Sequence, residues 1–384
     1  MLLDDLSTPA LLVDRDRLAR NLDRMQAKAD AQAVDLRPHA KTHKSPDLAR
    51  EQLTRGAVGL TVATLAEAET FVDAGVESVR VAYPVVGTDR HERLDDLRDR
   101  AAVSFTVDTD AGAEQASAFY RERDRPANVL LEVDVGHGRC GVPWDSDAAE
   151  RLAGRIAELP GLRLAGILTH AGQAYHGPQE GETKADALRR AGREERDRML
   201  DVAVRLAEAG IAGVEPEAFE ISIGSTPSLT YFENAEREGF QITEIRPGNY
   251  VFNDALQVNL ASAELHDRAL SVYTTVVSKR RDPSGTERVY VDAGKKVTTT
   301  DQGPGMDHYG TVLYNARYMR PHPHAVVTNL SEEHGWMRVP GGATFGVGDR
   351  LRIVPNHACV TVATQPVLHV VDGDEVVGTW PVRA

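Results

Sequence analysis

The feature that most constrains the fold is a regular alternation of short apolar segments with helical segments between about residues 15 and 255. A helical pattern, "DRDRLARNLDRMQAKADAQ", leads into the first strand-like segment, "DLRPHAK". Seven more strand-like segments follow, most of them separated by helical patterns: "GLTVAT", "SVRVAYP", "AVSFTVD", "NVLLEVDVG", "LRLAGILTH", "FEISIGS" and "QITEIRPGN". Eight βα units over roughly 240 residues are what a (β/α)8 TIM barrel requires, so we predict such an α/β barrel over residues 13–255. A doubly wound open sheet is the alternative, although no Gly-x-Gly-x-x-Gly motif opens the first unit.

After residue 255 the pattern changes to strands separated by turn residues. The segments are "LSVYTTVVSKR", "ERVYVDAG", "HAVVTNL", "DRLRIVPN", "HACVTVAT" and "PVLHVVDGDEVVGTW". In the last of these, Asp372-Gly373 is typical of a hairpin turn. We therefore predict an all-β C-terminal domain over residues 256–384, and we expect the strand of residues 8–13 to pair with it.

Charge and composition exclude several classes of partner. The formal net charge of −14 argues against binding to nucleic acid or to an anionic membrane surface. No run of eighteen apolar residues is present, and the N-terminal segment lacks the pattern of a signal peptide, so we expect no membrane span. The two cysteines, Cys140 and Cys359, lie far apart, which fits a reducing compartment. We expect a cytoplasmic protein.

Lysine is scarce, with seven lysines among 44 basic residues, and four of the seven lie in "HAKTHK" and "DAGKK". Such a surface is typical of a salt-rich cytoplasm, or of a genome that favours arginine codons; the sequence leaves both open. In either case, we expect the few lysines present to be functional.

The segment "DLRPHAK" alternates along a strand, so that Arg37, His39 and Lys41 share one face while the intervening apolar residues share the other. In a barrel the apolar face packs on the helices, which places Lys41 inside, near the C-terminal mouth. Lys44 lies in the loop before a helix that begins at Pro46. Desolvation and neighbouring cations lower the pKa of an amine, as a Schiff-base nucleophile requires. A solvated basic loop remains the alternative.

Polar residues also follow later barrel strands. Arg139 lies in the Gly-rich turn of "EVDVGHGRCGV", where the residues alone favour an arginine in a surface loop, and His170 ends the sixth strand. Barrels of this kind frequently bind phosphate after strands seven and eight, where small residues let backbone N–H groups approach it. The residues predicted to form that cradle are Gly224, Ser225, Thr226, Gly248, Asn249 and Tyr250.

His357 and Cys359 are two residues apart in "PNHACVT", which would place both on one face of a strand. Imidazole and thiolate suit zinc. An isolated His-x-Cys pair, however, is usually no metal site. Two protein ligands leave positions open for water and substrate, as in catalytic sites and unlike closed structural ones.

The motif "RPHAKTHK", placed after the first barrel strand, resembles the lysine motif of the D-serine dehydratase and D-threonine aldolase family. Members of that family are pyridoxal-phosphate enzymes of fold type III, in which an alanine-racemase-like barrel is followed by a β domain. The resemblance covers nearly the whole chain, and its other segments stand in the family's order: "STPALLVDRD", "TLAEAETF", "EVDVGHGRCGV", "THAGQAYHG", "SIGSTPS", "RPGNYVFND", "EEHG" and "PNHAC".

The resemblance implies a role for each candidate residue. Lys41 becomes the Schiff-base lysine, in agreement with the strand alternation, and His170 joins it as a catalytic residue that stacks on the cofactor ring or donates to it. Arg139 is expected to contact the phenolic oxygen of pyridoxal 5'-phosphate. Tyr175 is expected to lie near the pyridine nitrogen, and the cradle to bind the phosphate.

The resemblance further implies that His357 and Cys359 hold a divalent metal, zinc or manganese, that "DAGKK" and "EEHG" line the substrate end, and that the protein is a homodimer. The expected activity is lyase chemistry on a D-β-hydroxy amino acid: D-serine, D-threonine or 3-hydroxy-D-aspartate. Dehydratases of the family carry cysteine two residues after the metal histidine, and typical D-threonine aldolases carry aspartate. We therefore predict a D-serine dehydratase type, with retro-aldol cleavage to glycine and an aldehyde as the alternative. "EVDVGHGRCGV" resembles the aldolases instead.

Two other classes remain open at this point. An amino acid racemase would need a second base, usually a tyrosine from the β domain, and would have little use for a metal. A protein that only carries pyridoxal phosphate would have the barrel and its lysine but no β domain or metal pair, so the residues after 255, with His357 and Cys359, argue against that class.

Overall fold

The structure is a computed structural model that describes residues 1–283, 285–314, 317, 319–339 and 345–383, with the backbone alone for His324. The chain divides into two compact units. We call the first the barrel unit, which comprises Met25–Lys41 and Ala49–Gly248. The second is the β unit, which comprises Met1–Arg24, Thr42–Leu48 and Asn249–Arg383. The division predicted at residue 255 remains a prediction.

The strands, in chain order, are β1 (Ala10–Asp14), β2 (Asp35–Leu36), β3 (Leu60–Val62), β4 (Ser78–Pro84), β5 (Ala102–Val107), β6 (Ala127–Asp134), β7 (Val142–Pro143), β8 (Leu162–Leu168), β9 (Glu220–Ile223), β10 (Glu236–Arg237), β11 (Phe240–Gln241), β12 (Glu244–Ile245), β13 (Leu270–Arg281), β14 (Glu287–Val291), β15 (Gly310–Leu313), β16 (Pro321–Leu330), β17 (Gly335–Val339), β18 (Arg350–Pro355), β19 (Val367–Asp372) and β20 (Glu375–Pro381). The α-helices are α1 (Arg15–Ala31), α2 (Pro46–Thr54), α3 (Leu65–Asp73), α4 (Thr88–Arg98), α5 (Asp110–Arg121), α6 (Ala148–Glu158), α7 (Lys184–Glu208), α8 (Ala255–Asn259) and α9 (Ala358–Ala363). Within the described ranges, no helix combines the length and apolar character needed to cross a bilayer.

The barrel unit is built on eight parallel strands in the order β2-β12-β9-β8-β6-β5-β4-β3. A parallel bridge between His39 and Thr61 joins the two ends of this order. The backbone N–H of Val58 also donates to the carbonyl of Leu36, at 3.0 Å. The eight predicted strands are thus present in the predicted order, and the predicted fold class is confirmed.

The barrel strands are buried on their outer face because the helices cover them. In α6 the buried residues are Ala149, Leu152, Ala153 and Ile156, which recur at the spacing of one helical face. Their apolar stripe belongs to the same core cluster as strand residues such as Leu131. This packing explains why the strand and helix periodicities could be recognised in the sequence.

The barrel interior is charged, whereas the interiors of such barrels are usually filled by branched apolar side chains. Glu244 is buried and forms ion pairs with Arg37, at 2.6 Å, and with Arg80. Burial alone would raise the pKa of Glu244, but Arg80, Arg37 and Arg246 lower it to about 2. Arg80 also pairs with Glu220. Arg37 belongs to the segment "DLRPHAK" that contains Lys41, so this segment is tied to a network of ion pairs in the barrel interior.

The β unit contains one sheet in the order β14-β17-β16-β15-β18-β13-β1-β19-β20. Because β13 pairs antiparallel with both β18 and β14, six of its strands form a closed ring. Strand β1 pairs antiparallel with β13 and parallel with β19. The turn between β19 and β20 contains Gly373 with a φ of +58°, which agrees with the predicted hairpin. The all-β character predicted for the C-terminal region is confirmed, with two strands, β15 and β17, that were not predicted.

One predicted strand is wrong: "HACVTVAT" forms helix α9 instead. The buried residues Ala358, Thr361 and Val362 follow helical spacing, and a carboxylate oxygen of Asp254 accepts from the N–H of Ala358 at 2.7 Å. The β-branched residues of this segment favoured a strand, but the preceding strand ends at Pro355 and the capped helix replaces it. His357 is the N-cap residue and Cys359 the second residue of the helix.

Candidate active site

Lys41 lies just beyond the first barrel strand. Regular pairing of β2 ends at Leu36, but the extended backbone continues, since Arg37 N–H donates to the Ile245 carbonyl at 3.0 Å and His39 N–H to the Pro247 carbonyl at 2.9 Å. The chain then enters the 3-10 turn Ala40–Thr42, which contains Lys41. The predicted strand is thus shorter than expected, and Lys41 sits in the turn at its end. Lys44 lies in the following loop, as predicted.

Two histidines adjoin Lys41 within the barrel unit. Burial lowers the pKa of His39 well below its usual range, and the charges of Lys41, Arg246 and Arg139 lower it further. The same causes, burial followed by Lys41 and Arg139, lower the pKa of His170. We call Lys41, His39, His170 and Arg139 the lysine group. Both of its imidazoles are neutral near pH 7.

Arg139 is carried by the turn after β6. Three successive N–H groups of that turn donate to the carboxylate of Asp134 and fix its shape. The Arg139 side chain is about half exposed, and its Nη2 lies 3.8 Å from a carboxylate oxygen of the buried Glu132. This leaves the guanidinium able to meet a ligand at the barrel mouth.

The turn after β8 holds the remaining predicted ring contacts. His170 Nδ1 lies 3.2 Å from the carbonyl oxygen of Gly224. Tyr175 ends the 3-10 turn Gly172–Tyr175 and is partly buried. His137 packs edge-on against His170, with ring centroids 5.7 Å apart, and a Cβ on Gly172 would lie 2.3 Å from its ring. His137 was not singled out in the sequence analysis.

Residues 224–228, which we call the GSTPS loop, follow β9. Gly224 has a φ of +144°, and a Cβ there would lie 2.8 Å from the backbone N of Arg246, so only glycine fits. Ser225 and Thr226 are buried. The N–H of Gly224 donates to Glu195 Oε1 at 2.8 Å, and that of Ser225 to Ser228 Oγ at 3.2 Å. Glu195 and Ser228 thus accept from the N–H groups of Gly224 and Ser225 and fix the shape of the loop.

The second part of the predicted cradle follows β12. Asn249 and Tyr250 are buried and open a 3-10 turn, Asn249–Val251. In the described part of the chain, no hydrogen bond is formed by the backbone N–H of Gly248 or of Asn249, or by Asn249 Oδ1. Buried N–H groups without a protein partner are typical of a site that binds an anion. These positions fit a phosphate group.

The metal pair, His357 and Cys359, belongs to the β unit. His357 Nδ1 lies 2.6 Å from Asp301 Oδ2, and Cys359 Sγ lies 3.2 Å from Thr42 Oγ1. Burial opposes protonation of His357, but the neighbouring groups Cys359, Asp254 and Asp301 raise its pKa to about 10. Sulfur and nitrogen ligands in such an anionic setting fit a divalent cation. Within the ranges that the structure describes, no three acidic, histidine or cysteine side chains converge as a closed metal site.

Asp254 contacts the backbone at Ala358, the residue between the two members of the metal pair. Its buried carboxylate accepts from the N–H groups of Ala358 and Gln257 and from the side chain of Asn249. Burial raises the pKa of Asp254, while His357 and Asn249 oppose that rise. Asp254 and Asp301 were missed in the sequence, where nothing except proximity in the folded β unit connects them to His357. "DAGKK" and "EEHG", predicted to line the substrate end, contain lysines that pair with glutamates: Lys295 with Glu332 and Lys296 with Glu333.

Comparisons with known proteins bear on the whole chain. The model of the alanine racemase N-terminal domain matches residues 13–255, and that of a serine dehydratase domain matches residues 269–371. The chain is 36% identical to D-threo-3-hydroxyaspartate dehydratase from Delftia sp. (strain HT23), over 98% of this chain and 97% of that protein. It is 34% identical to D-threonine aldolase from Arthrobacter sp., over 99% of this chain and 93% of that one.

Solved structures give the same result. A mutant of D-threo-3-hydroxyaspartate dehydratase, solved in a metal-free form, matches over 99% of this chain and 98% of its own, with a TM-score of 0.87 and 36% identity. D-threonine aldolase from Filomicrobium marinum covers 100% of this chain and 97% of its own, with a TM-score of 0.83 and 29% identity. Both similarities extend over the barrel and the β sheet.

Proposed function

We propose that this chain, which belongs to the family of the D-serine dehydratases and D-threonine aldolases, is a lyase that depends on pyridoxal phosphate and a divalent metal. Members of this family carry an alanine racemase N-terminal domain. The proposed substrates are D-β-hydroxy amino acids. The favoured reaction is dehydration and deamination to a 2-oxo acid and ammonia. The observation that carries this choice is the metal pair, a histidine and a cysteine at the start of one helix.

Lys41 is the residue that binds the aldehyde of the cofactor, because it is the amine of the lysine group. Bound there, pyridoxal phosphate would supply an electron sink for negative charge at Cα of the substrate. His39 and His170 contribute no positive charge, because burial and the nearby cations keep them neutral. Arg139 would contact the phenolic oxygen of the bound cofactor, and Tyr175 would lie near its ring nitrogen. A neutral phenol at that nitrogen does not force its protonation.

The phosphate is bound by residues 224–226 and by Gly248, Asn249 and Tyr250. Two features support this assignment: the fixed GSTPS loop after β9, and the N–H groups of Gly248 and Asn249 that make no hydrogen bond among the described residues. A phosphate dianion accepts several hydrogen bonds at once. We expect it to fix the cofactor at the ends of the strands.

His357 and Cys359 hold the metal, either zinc or manganese. A divalent cation at this pair would polarise the β-hydroxyl oxygen of the substrate. Asp301 holds Nδ1 of His357, which fixes the orientation of the ring and leaves Nε2 for the metal. Only two protein ligands are proposed, so positions stay open for the substrate and water.

Two outcomes depend on which proton this chain removes. If Lys41, freed when the substrate amine takes its place, removes the Cα proton, the β-hydroxyl takes up a proton and leaves as water. The enamine that remains becomes an imine and hydrolyses to a 2-oxo acid and ammonia. If a base takes the hydroxyl proton instead, the Cα–Cβ bond breaks to release an aldehyde, and Cα takes up a proton to give glycine. The first outcome is our proposal. The second is retained because the Arthrobacter aldolase is 34% identical to this chain.

The substrate is D-serine, D-threonine or 3-hydroxy-D-aspartate. We further propose a homodimer that works in the cytoplasm, with domains at residues 13–255 and 256–384. The domain boundaries are supported by the pattern change after residue 255, and the compartment by the two cysteines, which lie far apart in the sequence.

The experiment is to incubate the purified protein with each of the three D-amino acids and to quantify 2-oxo acid, ammonia, glycine and aldehyde. Excess 2-oxo acid and ammonia supports the dehydratase. Excess glycine would establish the aldolase instead. Lys41→Arg should abolish both reactions, and Lys44→Arg is the matched control because it alters the neighbouring lysine of the same motif.

A further inference from the structure

Glu195 is a carboxylate with no place in the reaction so far. It lies in the interior-facing stripe of α7 and is completely buried. Its Oε1 accepts from the N–H of Gly224 at 2.8 Å, and its Oε2 accepts from Ser228 Oγ at 2.6 Å. Burying a carboxylate is costly unless it is compensated, so its position behind the GSTPS loop calls for an explanation.

Both ends of the GSTPS loop depend on this side chain. Ser228 Oγ accepts from the N–H of Ser225 at 3.2 Å and from Ser225 Oγ at 3.1 Å, so Glu195 holds Ser225 through Ser228. At the other end, the N–H of Gly224 donates to Glu195, and the carbonyl oxygen of Gly224 lies 3.2 Å from His170 Nδ1. One carboxylate thus sets the shape of the loop and supports His170 through Gly224.

The charge of Glu195 is finely balanced. Burial raises its pKa to about 7, against the opposing effects of Ser228, Gly224, Arg246 and the backbone of Ala171. Of these four groups, Arg246, which follows β12, is the one with a charged side chain. His170 contacts Gly224 from the other side, at its carbonyl oxygen. On α7 itself, the adjacent charged residues Glu194 and Arg196 are only partly buried. A second negative charge brought to the GSTPS loop would therefore tip the balance towards the protonated form.

We propose that Glu195 is the positioning residue of the phosphate cradle and that it takes up a proton when the phosphate dianion binds. This inference rests on the proposed function, which assigns the phosphate to residues 224–226.

The hydrogen bonds around Glu195 accommodate that proton. When Glu195 is charged, Ser228 donates its hydroxyl hydrogen to Oε2. When Oε2 carries the proton, Oε2–H donates to Ser228 Oγ, and Ser228 turns its hydrogen to the carbonyl oxygen of Ser225, which lies 3.2 Å away. Ser225 Oγ then donates to the carbonyl oxygen of Ala171, which lies 3.1 Å away, so that Ser228 Oγ accepts from two donors in either state. Oε1 accepts from Gly224 in both states. The proton comes from solvent, and each of these donors keeps an acceptor.

The test compares the dissociation constants of pyridoxal phosphate and of 5'-deoxypyridoxal, measured on the apo-protein by absorbance or fluorescence. Both compounds offer an open aldehyde to Lys41, because 5'-deoxypyridoxal lacks the hydroxyl that closes pyridoxal into a hemiacetal, so the ratio of the two constants isolates the phosphate. In the wild type, the advantage of the phosphate should shrink by close to tenfold per pH unit above about pH 7.5, because one proton is bound with it. In Glu195→Gln, whose amide imitates the protonated acid, the ratio should not change with pH. Glu194→Gln, the adjacent glutamate, should keep the wild-type slope.

A second measurement needs no variant. When pyridoxal phosphate is mixed with the apo-protein in weak buffer near pH 8, about one proton more should be taken up from solution than when 5'-deoxypyridoxal is mixed with it. Equal proton uptake, or a Glu195→Gln variant that retains the wild-type slope, overturns the inference. If pyridoxal phosphate fails to bind the wild type at every pH, the proposed function fails instead, so the two failures are distinct.

Discussion

The lysine group and the surroundings of the metal pair shift the pKa of histidine in opposite directions. In the lysine group, burial and the cations Lys41 and Arg139 lower the pKa of His39 and His170. Beside the metal pair, anionic neighbours raise the pKa of His357 to about 10 despite its burial. Burial lowers the pKa of the histidine in both places, so the difference between them comes from the sign of the neighbouring charges. The first group suits anionic ligands such as a phosphate or an amino acid carboxylate, and the second suits a metal cation.

The largest expected effect comes from removing the cation of the lysine group. Lys41→Ala should abolish cofactor attachment and lower lyase activity on the order of a thousandfold or more. It should also raise the pKa of His39 and His170, because the Lys41 charge lowers both. Histidine titration by NMR measures the second effect. Borohydride reduction and peptide mapping should label Lys41 in the wild type, and a label on Lys44 would contradict the assignment.

The next effect tests the other side of the comparison. Removing the metal, by chelation or by Cys359→Ala, should lower turnover roughly a hundredfold to ten-thousandfold. The cofactor should stay attached to Lys41, as its absorbance will record. Zinc or manganese should restore the chelated protein. Cys359→Asp should keep part of its metal, because carboxylate is also a ligand. Loss of the cofactor signal together with the metal would show that the two groups are not independent.

A smaller effect is expected from the neighbour that orients the metal histidine. Asp301→Asn replaces the carboxylate that lies 2.6 Å from His357 Nδ1, and we expect a loss of metal affinity of about 10- to 100-fold. Competition with a chromogenic chelator measures this directly. Asp307→Asn is the matched control, because Asp307 is an exposed aspartate of the same segment. Equal affinities in both variants would mean that Asp301 does not orient the ring.

The fold was predictable because its signals are local. The helical spacing of Ala149, Leu152 and Ile156 in α6 and the apolar strands around it can be recognised in single segments. Helix α9 was missed because Val360, Thr361 and Val362 have strand propensity, and the cap from Asp254 comes from a distant segment.

The candidate site divides in the same way. Lys41, His357 and Cys359 stood out because their motifs are contiguous in sequence. Glu195 and Asp301 did not, because each acts across a long stretch of chain: Asp301 is 56 residues from His357, and Glu195 is 33 residues from Ser228. The charged barrel interior was equally hidden, since Arg80 and Glu244 are 164 residues apart and meet only when the barrel closes. Contacts that depend on closure leave no local pattern.

The smallest expected effect concerns a third histidine, which separates burial from charge. His91 in α4 is buried among Phe105, Phe119 and Tyr120, with ring centroids 5.5 to 5.6 Å away. Neither of its ring nitrogens has a hydrogen-bond partner among the residues described. Burial lowers its pKa to about 4, with only Asp89 opposing.

The folded state therefore favours the neutral ring of His91, so this contribution to stability is complete above the unfolded pKa of about 6.5 and is lost as the pH falls towards 4. Between about pH 7 and about pH 5, the wild type should lose about 2 kcal/mol of unfolding free energy that His91→Leu retains. Urea unfolding at the two pH values measures the difference, and substitution of the exposed His334 by glutamine should leave it unchanged. If His91→Leu loses as much stability as the wild type, burial alone does not keep a histidine neutral in this protein, and the charges of the lysine group must account for more of the shift at His39 and His170.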